Sequence, residues 1–430
     1  MNNSPLEQLA RQYGNVVQYD AKGNPSIFCK FPKMKSSDLD ASLPDHVHPA
    51  FVINNVEEDA ILIGKYMSSE LEGNGTQYSL PNMPPRVSMH HDTFLQKMRA
   101  FGNGASGITI ADHGFMLLLA HKNKWEPHGN NYYGCDYRDA TPWELAKSYN
   151  VGDKRSFRGW LYECIKAHTS SEELLPVDSP LYWKKGKHVG GTPANPSQYN
   201  ADSQYRGYNT LTGSGPIDWY LGSDPGNLCD IQGNAFEQVY GFRLVNCEIQ
   251  ILGDNNNAAD ATADCSANGA WKAILPNKTD NGYTLVAPGT PGTLHYTWQN
   301  SKITIDTVEP EFDGEYRGTT FTSMGVNTAN VPYMPSIMHE LGLAPIPGST
   351  VQGYFYVQMT QDERVARRGG NYNNTSNAGM AYLNCNNPRS NANANYGGRP
   401  RSRSQRVTGT LRTTGSTETG GVHFRPGGFS

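Results

Sequence analysis

An α+β fold with a few short strands, two main helices and long irregular loops is predicted by three observations. Of the 430 residues only 37% are hydrophobic and 18% charged, while 45 are glycine, 27 proline and 24 tyrosine. That is the make-up of a polar, loop-rich globule and not of a helical bundle or a disordered chain. Two stretches carry the apolar spacing of helices, and short apolar or alternating runs between Gly, Asn and Pro clusters read as strands in long turns.

Ser4, Pro5 and the apolar spacing up to Tyr13 predict a short capped helix. Val16 to Tyr19 and Ser26 to Phe31 alternate about Lys22-Gly23-Asn24-Pro25 and predict a hairpin. Residues 1–43 therefore read as a separate N-terminal element, either an attachment or oligomerisation device or a piece packed on the main body. The main domain is expected over 44–404. Its elements are a buried strand at Ala60 to Tyr66, helices at Asp92 to Phe101 and Asp112 to Lys122, and strands at Phe242 to Val245, Glu248 to Leu252 and Lys302 to Ile305. Residues 405–430, rich in Thr, Gly, Ser and Arg, read as a polar tail that Arg399, Arg401, Arg403 and Arg406 make locally basic. No internal repeat is visible.

The net charge of −4 carries no footprint for nucleic acid or an anionic membrane. The first residues lack the basic start and apolar run of a secretory signal, and no stretch approaches the roughly 18 apolar residues of a membrane span. Synthesis in the cytosol without membrane insertion is the expectation. Seven scattered cysteines without a C-x-x-C pair signal neither a zinc site nor a disulfide framework, and Cys247 with Cys265 is the one pair to consider for a bridge. Met338-His339-Glu340-Leu341-Gly342-Leu343 begins like a zincin helix, but Leu343 stands where the second histidine belongs. His90-His91-Asp92 reads as a helix start capped by Asp92, and the oxygen-rich run from Asp254 to Asp264 lacks EF-hand spacing and reads as a solvated loop. Accordingly no catalytic residue, metal or cofactor is expected, and the chain is not expected to be an enzyme.

From Asn371 to Tyr396, 10 of 26 residues are Asn, which no helix or strand preference asks for. One reading is a disordered low-complexity tract. The other is an ordered recognition segment, because Tyr offers contact area at low entropic cost while Asn and Ser offer adaptable hydrogen bonds. Arg367-Arg368-Gly369-Gly370 before it, Gly397-Gly398-Arg399-Pro400 after it, and Gly379, Met380, Tyr382, Leu383 and Pro388 within it favour an ordered loop pointing its amides to solvent.

Arg368-Gly369-Gly370-Asn371-Tyr372 followed by Gly397-Gly398-Arg399-Pro400 resembles the frame that closes the C-type-lectin-like fold of the formylglycine-generating-enzyme type. Gly233-Asn234-Ala235-Phe236-Glu237-Gln238-Val239 resembles that family's Gly-Asn-Val-Trp-Glu-Trp-Val element, and Ile61 to Tyr66 its opening strand. The chain departs at Tyr372, Phe236 and Gln238, where the family carries Trp, and at Gly398, where it carries Phe. The Asn-dense segment resembles the variable region of target proteins of diversity-generating retroelements, in which adenines of a template are copied with errors. The resemblance implies ligand-contacting variable positions at Asn371, Asn373, Asn374, Ser376, Asn377, Met380, Tyr382, Asn384, Asn386, Asn387, Ser390, Asn391, Asn393, Asn395 and Tyr396. It implies a host-receptor-binding protein such as a phage tail adhesin on the virion, or a bacterial surface receptor. Its expected partner is a host-surface protein or glycan, and its expected assembly a homo-oligomer, a trimer by analogy, attached to a tail. Alternatives are a structural virion or scaffold domain without a ligand, and a formylglycine-generating-type oxidase; the latter would need two late thiolates for copper, where this chain has only Cys385 after Cys265.

Overall fold

The computed structural model describes residues 4–71, 73–195, 208–253 and 255–404. Helix α1 (Pro5–Gln12) starts as its sequence predicts: the Ser4 hydroxyl accepts from Glu7 N, the Glu7 carboxylate accepts from Ser4 N, and proline fills the first turn. Strands β1 (Asn15–Tyr19) and β2 (Pro25–Pro32) then form the expected hairpin. It does not stand apart. β2 pairs with β3 (Ala60–Gly64), β3 with the C-terminal strand Pro400–Arg403, and that strand with β4 (Ser106–Gly107), giving a five-stranded antiparallel sheet. Of the two readings of residues 1–43, the pairing shows the one in which the piece packs on the main body. Ser26 to Cys29 are buried in succession, so β2 needs cover on both faces, and only the main body supplies it.

The two main helices are α2 (His91–Arg99) and α3 (Ile110–Asn123). His90, not Asp92, occupies the cap position of α2; Asp92 lies in the first turn, where its carboxylate accepts from Arg389 Nη1 at 2.7 Å. Thr109 and Asp112 cap α3 reciprocally, and every residue from Ile110 to Leu118 is buried, the pattern of a helix surrounded by core. At Gly114 a Cβ would lie 2.1 Å from the Glu340 carbonyl oxygen, so glycine lets α3 touch the backbone of the short helix α4 (Ser336–Glu340).

Regular structure is mostly sheet, more than the few strands expected. β5 (Phe236–Val245), β6 (Glu248–Ile251), β7 (His295–Gln299), β8 (Lys302–Asp306), β9 (Tyr316–Thr320), β10 (Tyr354–Gln358), β11 (Arg364–Arg368) and β12 (Leu383–Asn387) belong to one 12-stranded sheet in the order β9-β10-β12-β11-β5-β6-β7-β8. β10 and β12 run parallel; the other pairs along this path are antiparallel. The turn-rich stretch before residue 230 also holds a three-stranded sheet, Lys154–Phe157, Trp160–Cys164 and Trp183–His188, beside a small core that includes Trp143, Tyr149 and Trp183. Strands this short show too few alternations to be read from sequence.

All seven cysteines are free and buried, Cys247 and Cys265 included. The run expected as a solvated loop is partly built into the body: Asn256 Nδ2 donates to Asp112 Oδ1 at 2.7 Å and to Ala50 O at 3.0 Å. The tail of 405–430 lies outside the described residues. Arg399 and Arg401 do not make it basic, since both are buried, against Glu237 at 2.6 Å and Asp112 at 3.1 Å. Among the described residues no helix is long and apolar enough to cross a membrane.

Candidate ligand-binding face

β11 lies between β5 and β12 and leads into the Asn-rich segment. The buried Arg368 donates from Nη2 to Gly342 O at 2.7 Å and Leu341 O at 3.3 Å, and burial pushes its guanidinium down to about 10. Gly369 and Gly370 follow with φ of 84° and 83°, left-handed backbone that favours glycine. A Cβ at Gly370 would also meet Ala378 at 2.8 Å.

The segment is ordered by its own amides. Asn374 Oδ1 accepts from Asn371 N at 2.8 Å, and Asn371 Oδ1 accepts from Asn373 N at 3.1 Å, so both side chains stand in for backbone acceptors in tight turns. Thr375 N donates to Asn131 O at 2.9 Å and Tyr133 N to Tyr372 O at 2.7 Å, fastening the segment to the 128–139 loop. That loop contains the one group of possible metal ligands among the described residues, His128, Asp136 and Asp139, with ligand atoms within 4.8 Å of one another. Asp136 is already neutralised there: Arg138 donates to both its oxygens at 2.8 Å, and Asn131 Nδ2 and Gly129 N add to them. The group braces the loop.

Further along, Met380 is in the main core and Tyr382 stacks on Phe236 at 5.4 Å. Asn384 Nδ2 donates to Tyr316 OH at 3.2 Å and Tyr382 OH at 3.4 Å, and Asn377 Nδ2 to Tyr356 OH at 3.2 Å. Asn386 and Asn387 bond to each other, and Asn391 Nδ2 donates to Asn387 Oδ1 at 2.5 Å. Arg389 pins the far side with bonds to Glu363 at 2.9 and 3.1 Å, Asp92 at 2.7 Å and Cys265 O at 2.7 Å. Asn395 O accepts from Phe236 N at 2.8 Å, and Tyr396 lies against Phe236 with centroids 6.0 Å apart.

The expectation that the segment's amides, hydroxyls and tyrosines point to solvent is corrected in part by burial at the fifteen candidate positions. Asn371, Met380, Tyr382, Asn384 and Tyr396 are buried; Asn374, Asn377, Asn386, Asn387, Asn391 and Asn395 are half-buried; Asn373, Ser376, Ser390 and Asn393 are exposed. The buried ones are spent on turns, on the core and on a tyrosine cluster that sequence reasoning did not include. Tyr316, 46% exposed, stacks on Tyr356 at 4.9 Å, and Tyr354 lies 4.6 Å from Tyr356, so phenols from β9 and β10 extend the face of β12. The alternation in Tyr354-Phe355-Tyr356-Val357, half-buried against buried, carried that signal; Tyr316 had none. No protein-family model and no curated protein matches this chain. At the other end Tyr372 stacks on Tyr208 at 5.1 Å beside Tyr133.

The three sequence elements quoted for the resemblance meet in the fold. Arg399 donates to Glu237 of β5 and to the carbonyls of Gly64, Lys65 and Cys229 at 2.8 to 3.0 Å. At Gly398 a Cβ would strike Phe94 Cε1 at 2.4 Å, so the Phe94 ring from α2 fills the space beside Gly398. Cys385 is fully buried, and burial pushes its thiol up to about 12.

Proposed function

We propose that the chain is a ligand- or host-receptor-binding protein without catalytic activity, and that its recognition surface is the exposed and half-exposed part of residues 371–396 with the phenols of Tyr316, Tyr354 and Tyr356. The observation that carries this is the division of labour within one segment. Buried residues of the segment fix its backbone, while Asn373, Ser376, Ser390 and Asn393 project freely. Rigid aromatic area flanked by adaptable amides is the composition of a paratope. Against the oxidase alternative stands Cys385, the late thiol such a site would use, which is fully buried and pushed up to about 12 by that burial.

The finer reading is a C-type-lectin-like domain diversified by a retroelement and carried as a homo-oligomeric adhesin, a trimer by analogy, on a phage tail or a bacterial surface. Support comes from the meeting of Arg399 with Glu237 and from the filling of the Gly398 site by Phe94. Its test is to sequence several isolates across codons 365–405 together with the neighbouring DNA. Substitutions concentrated at exposed and half-exposed positions, a near-identical repeat and a reverse transcriptase gene are expected, with Arg368, Gly369, Gly370, Arg389 and Arg399 constant. An invariant segment, or changes spread evenly over buried and exposed positions, would overturn diversification.

A further inference from the structure

Among the described residues Arg367 is the one buried arginine behind this face that neither pairs with a carboxylate nor donates a hydrogen bond. It is 1% exposed, and its Nε, Nη1 and Nη2 have no hydrogen-bond partner. The neighbouring buried guanidiniums each keep something that Arg367 lacks: Arg399 and Arg401 face carboxylates, though the Arg401 nitrogens make no hydrogen bond, and Arg368, without a carboxylate, donates from Nη2 to two carbonyls. Around Arg367 stand the phenols of Tyr396, Tyr382 and Tyr240 and the thiol of Cys385. Its guanidinium carbon sits 3.8 Å over the Tyr396 ring, which softens the charge but accepts none of its hydrogens. Its cross-strand partners are Gln238 on one side and Asn384 on the other, which puts it within the tyrosine and asparagine face. Two acceptors near it in the sheet or chain are also orphaned, Gln238 Oε1 and, next to Tyr396, Asn395 Oδ1.

A buried cation without a counter-charge is costly to keep, and an anion arriving from outside removes that cost. Orphaned acceptors in turn need donors, which hydroxyl groups supply. We propose, resting on the recognition face assigned above, that its ligand is an acidic saccharide whose carboxylate or sulfate pairs with Arg367 once Tyr396 turns aside. Hydroxyls of the same sugar donate to Gln238 and Asn395, and the phenols of Tyr316, Tyr354 and Tyr356 offer faces for the sugar rings. The geometry of a guanidinium fork suits both oxyanions.

The test is calorimetric titration of the full chain with acidic saccharides beside neutral counterparts: oligogalacturonate against its methyl ester, and sialyllactose against lactose. The expected result is binding of at least one acidic member, at least about tenfold weaker binding of its neutral counterpart, and a loss of roughly 30-fold or more in Arg367→Met. Arg367→Met is expected to unfold at no lower temperature than wild type, since a lone buried charge has been removed. Should that variant fail to fold, Arg367→Lys and the acid-to-neutral ratio of wild type decide. Equal binding of acid and neutral members, acid binding indifferent to residue 367, or no acidic member bound would each overturn the proposal, as would preference for polyglutamate over every sugar. Equal binding that is lost on substituting Asn373 and Ser376 leaves the face standing and removes only the charge requirement.

Discussion

Asn371 and Asn393 are the same residue type with opposite duties. Asn371 is buried and its side chain caps the backbone of Asn373, while the Asn393 side chain is exposed and its Oδ1 accepts from the next residue, Ala394 N, at 2.7 Å. Asn371→Ala is therefore expected to cost about 1 kcal/mol in urea unfolding, against less than about 0.5 for Ala at Asn373, Ser376, Ser390 or Asn393. Equal costs at buried and exposed positions would contradict the division of labour. Composition announced the segment, but burial depends on strand pairings tens of residues away, so sequence reasoning could not sort one asparagine from another. Arg367 was invisible for the same reason: only the fold shows that no carboxylate reaches it. Residues away from the face set a pH response. His46 Nε2 lies 2.5 Å from Glu340 Oε1, and that hydrogen bond holds the imidazole above its ordinary 6.5 against burial. Burial raises Glu340, but its bonds to His46 and Ser36, with the nearby charge of His48, outweigh this and hold it below 4.5. Burial pushes His48 down to about 4. The His46 contribution is complete below pH 6.5 and fades as pH rises through its raised folded value; the His48 contribution is present above 6.5 and fades toward about 4, with Glu340 adding loss at still lower pH. Thermal unfolding should peak near pH 6.5, and His46→Gln should flatten the alkaline limb and, because Glu340 loses the bond that holds it down, change the acid limb as well.

At the scale of elements, α2 packs its Phe94 ring against Gly398 just past the segment's end. Phe94 occupies the space a residue at 398 would fill, so Gly398→Phe alone should destabilise by about 2 kcal/mol or more through overpacking. Adding Phe94→Ala should recover part of that loss, a non-additivity expected of residues sharing one volume. Strictly additive unfolding energies would show that the two positions do not compete. The helices were legible because Ser4, Thr109 and the apolar spacing of their neighbours are local signals. β12 was not, since Leu383-Asn384-Cys385-Asn386-Asn387 carries poor strand formers and is held by pairing with β10 and β11. Arg389 links these elements too: it ties the segment to Glu363 beside β11 and Asp92 of α2. Arg389→Ala should cost about 1 to 2 kcal/mol, because Glu363 is then left with Arg243 alone and Asp92 with His91 alone.

Across the whole molecule, the two ends of the described chain meet in one sheet. β3 is flanked by β2 on one side and by Pro400–Arg403 on the other, so its register with residues 401–403 is set only when the last strand is in place. Gly64 allows this, because a Cβ there would lie 2.7 Å from Pro400 O. Two buried ion pairs lock the same strand, Arg399 to Glu237 of β5 and Arg401 to Asp112 of α3, and thereby join the five-stranded sheet to the large sheet and the central helix. None of this is local in sequence, which is why residues 1–43 and the arginines after 398 looked peripheral when read alone. A pairing this distant makes folding depend on late, long-range closure, and a chain ending at Gly398 leaves the backbone of β3 unpaired on one edge and Glu237 and Asp112 buried without counter-charges. That truncated chain is expected to lack a cooperative thermal transition and to expose apolar surface to a hydrophobic dye. Arg399→Met is expected to lower stability by roughly 3 to 5 kcal/mol by the same reasoning at one position. A truncated chain that unfolded with the Tm of the full one would mean that the C-terminal strand only decorates the sheet, and the frame that holds residues 371–396 would then have to be sought in β5, β11 and Arg389 alone.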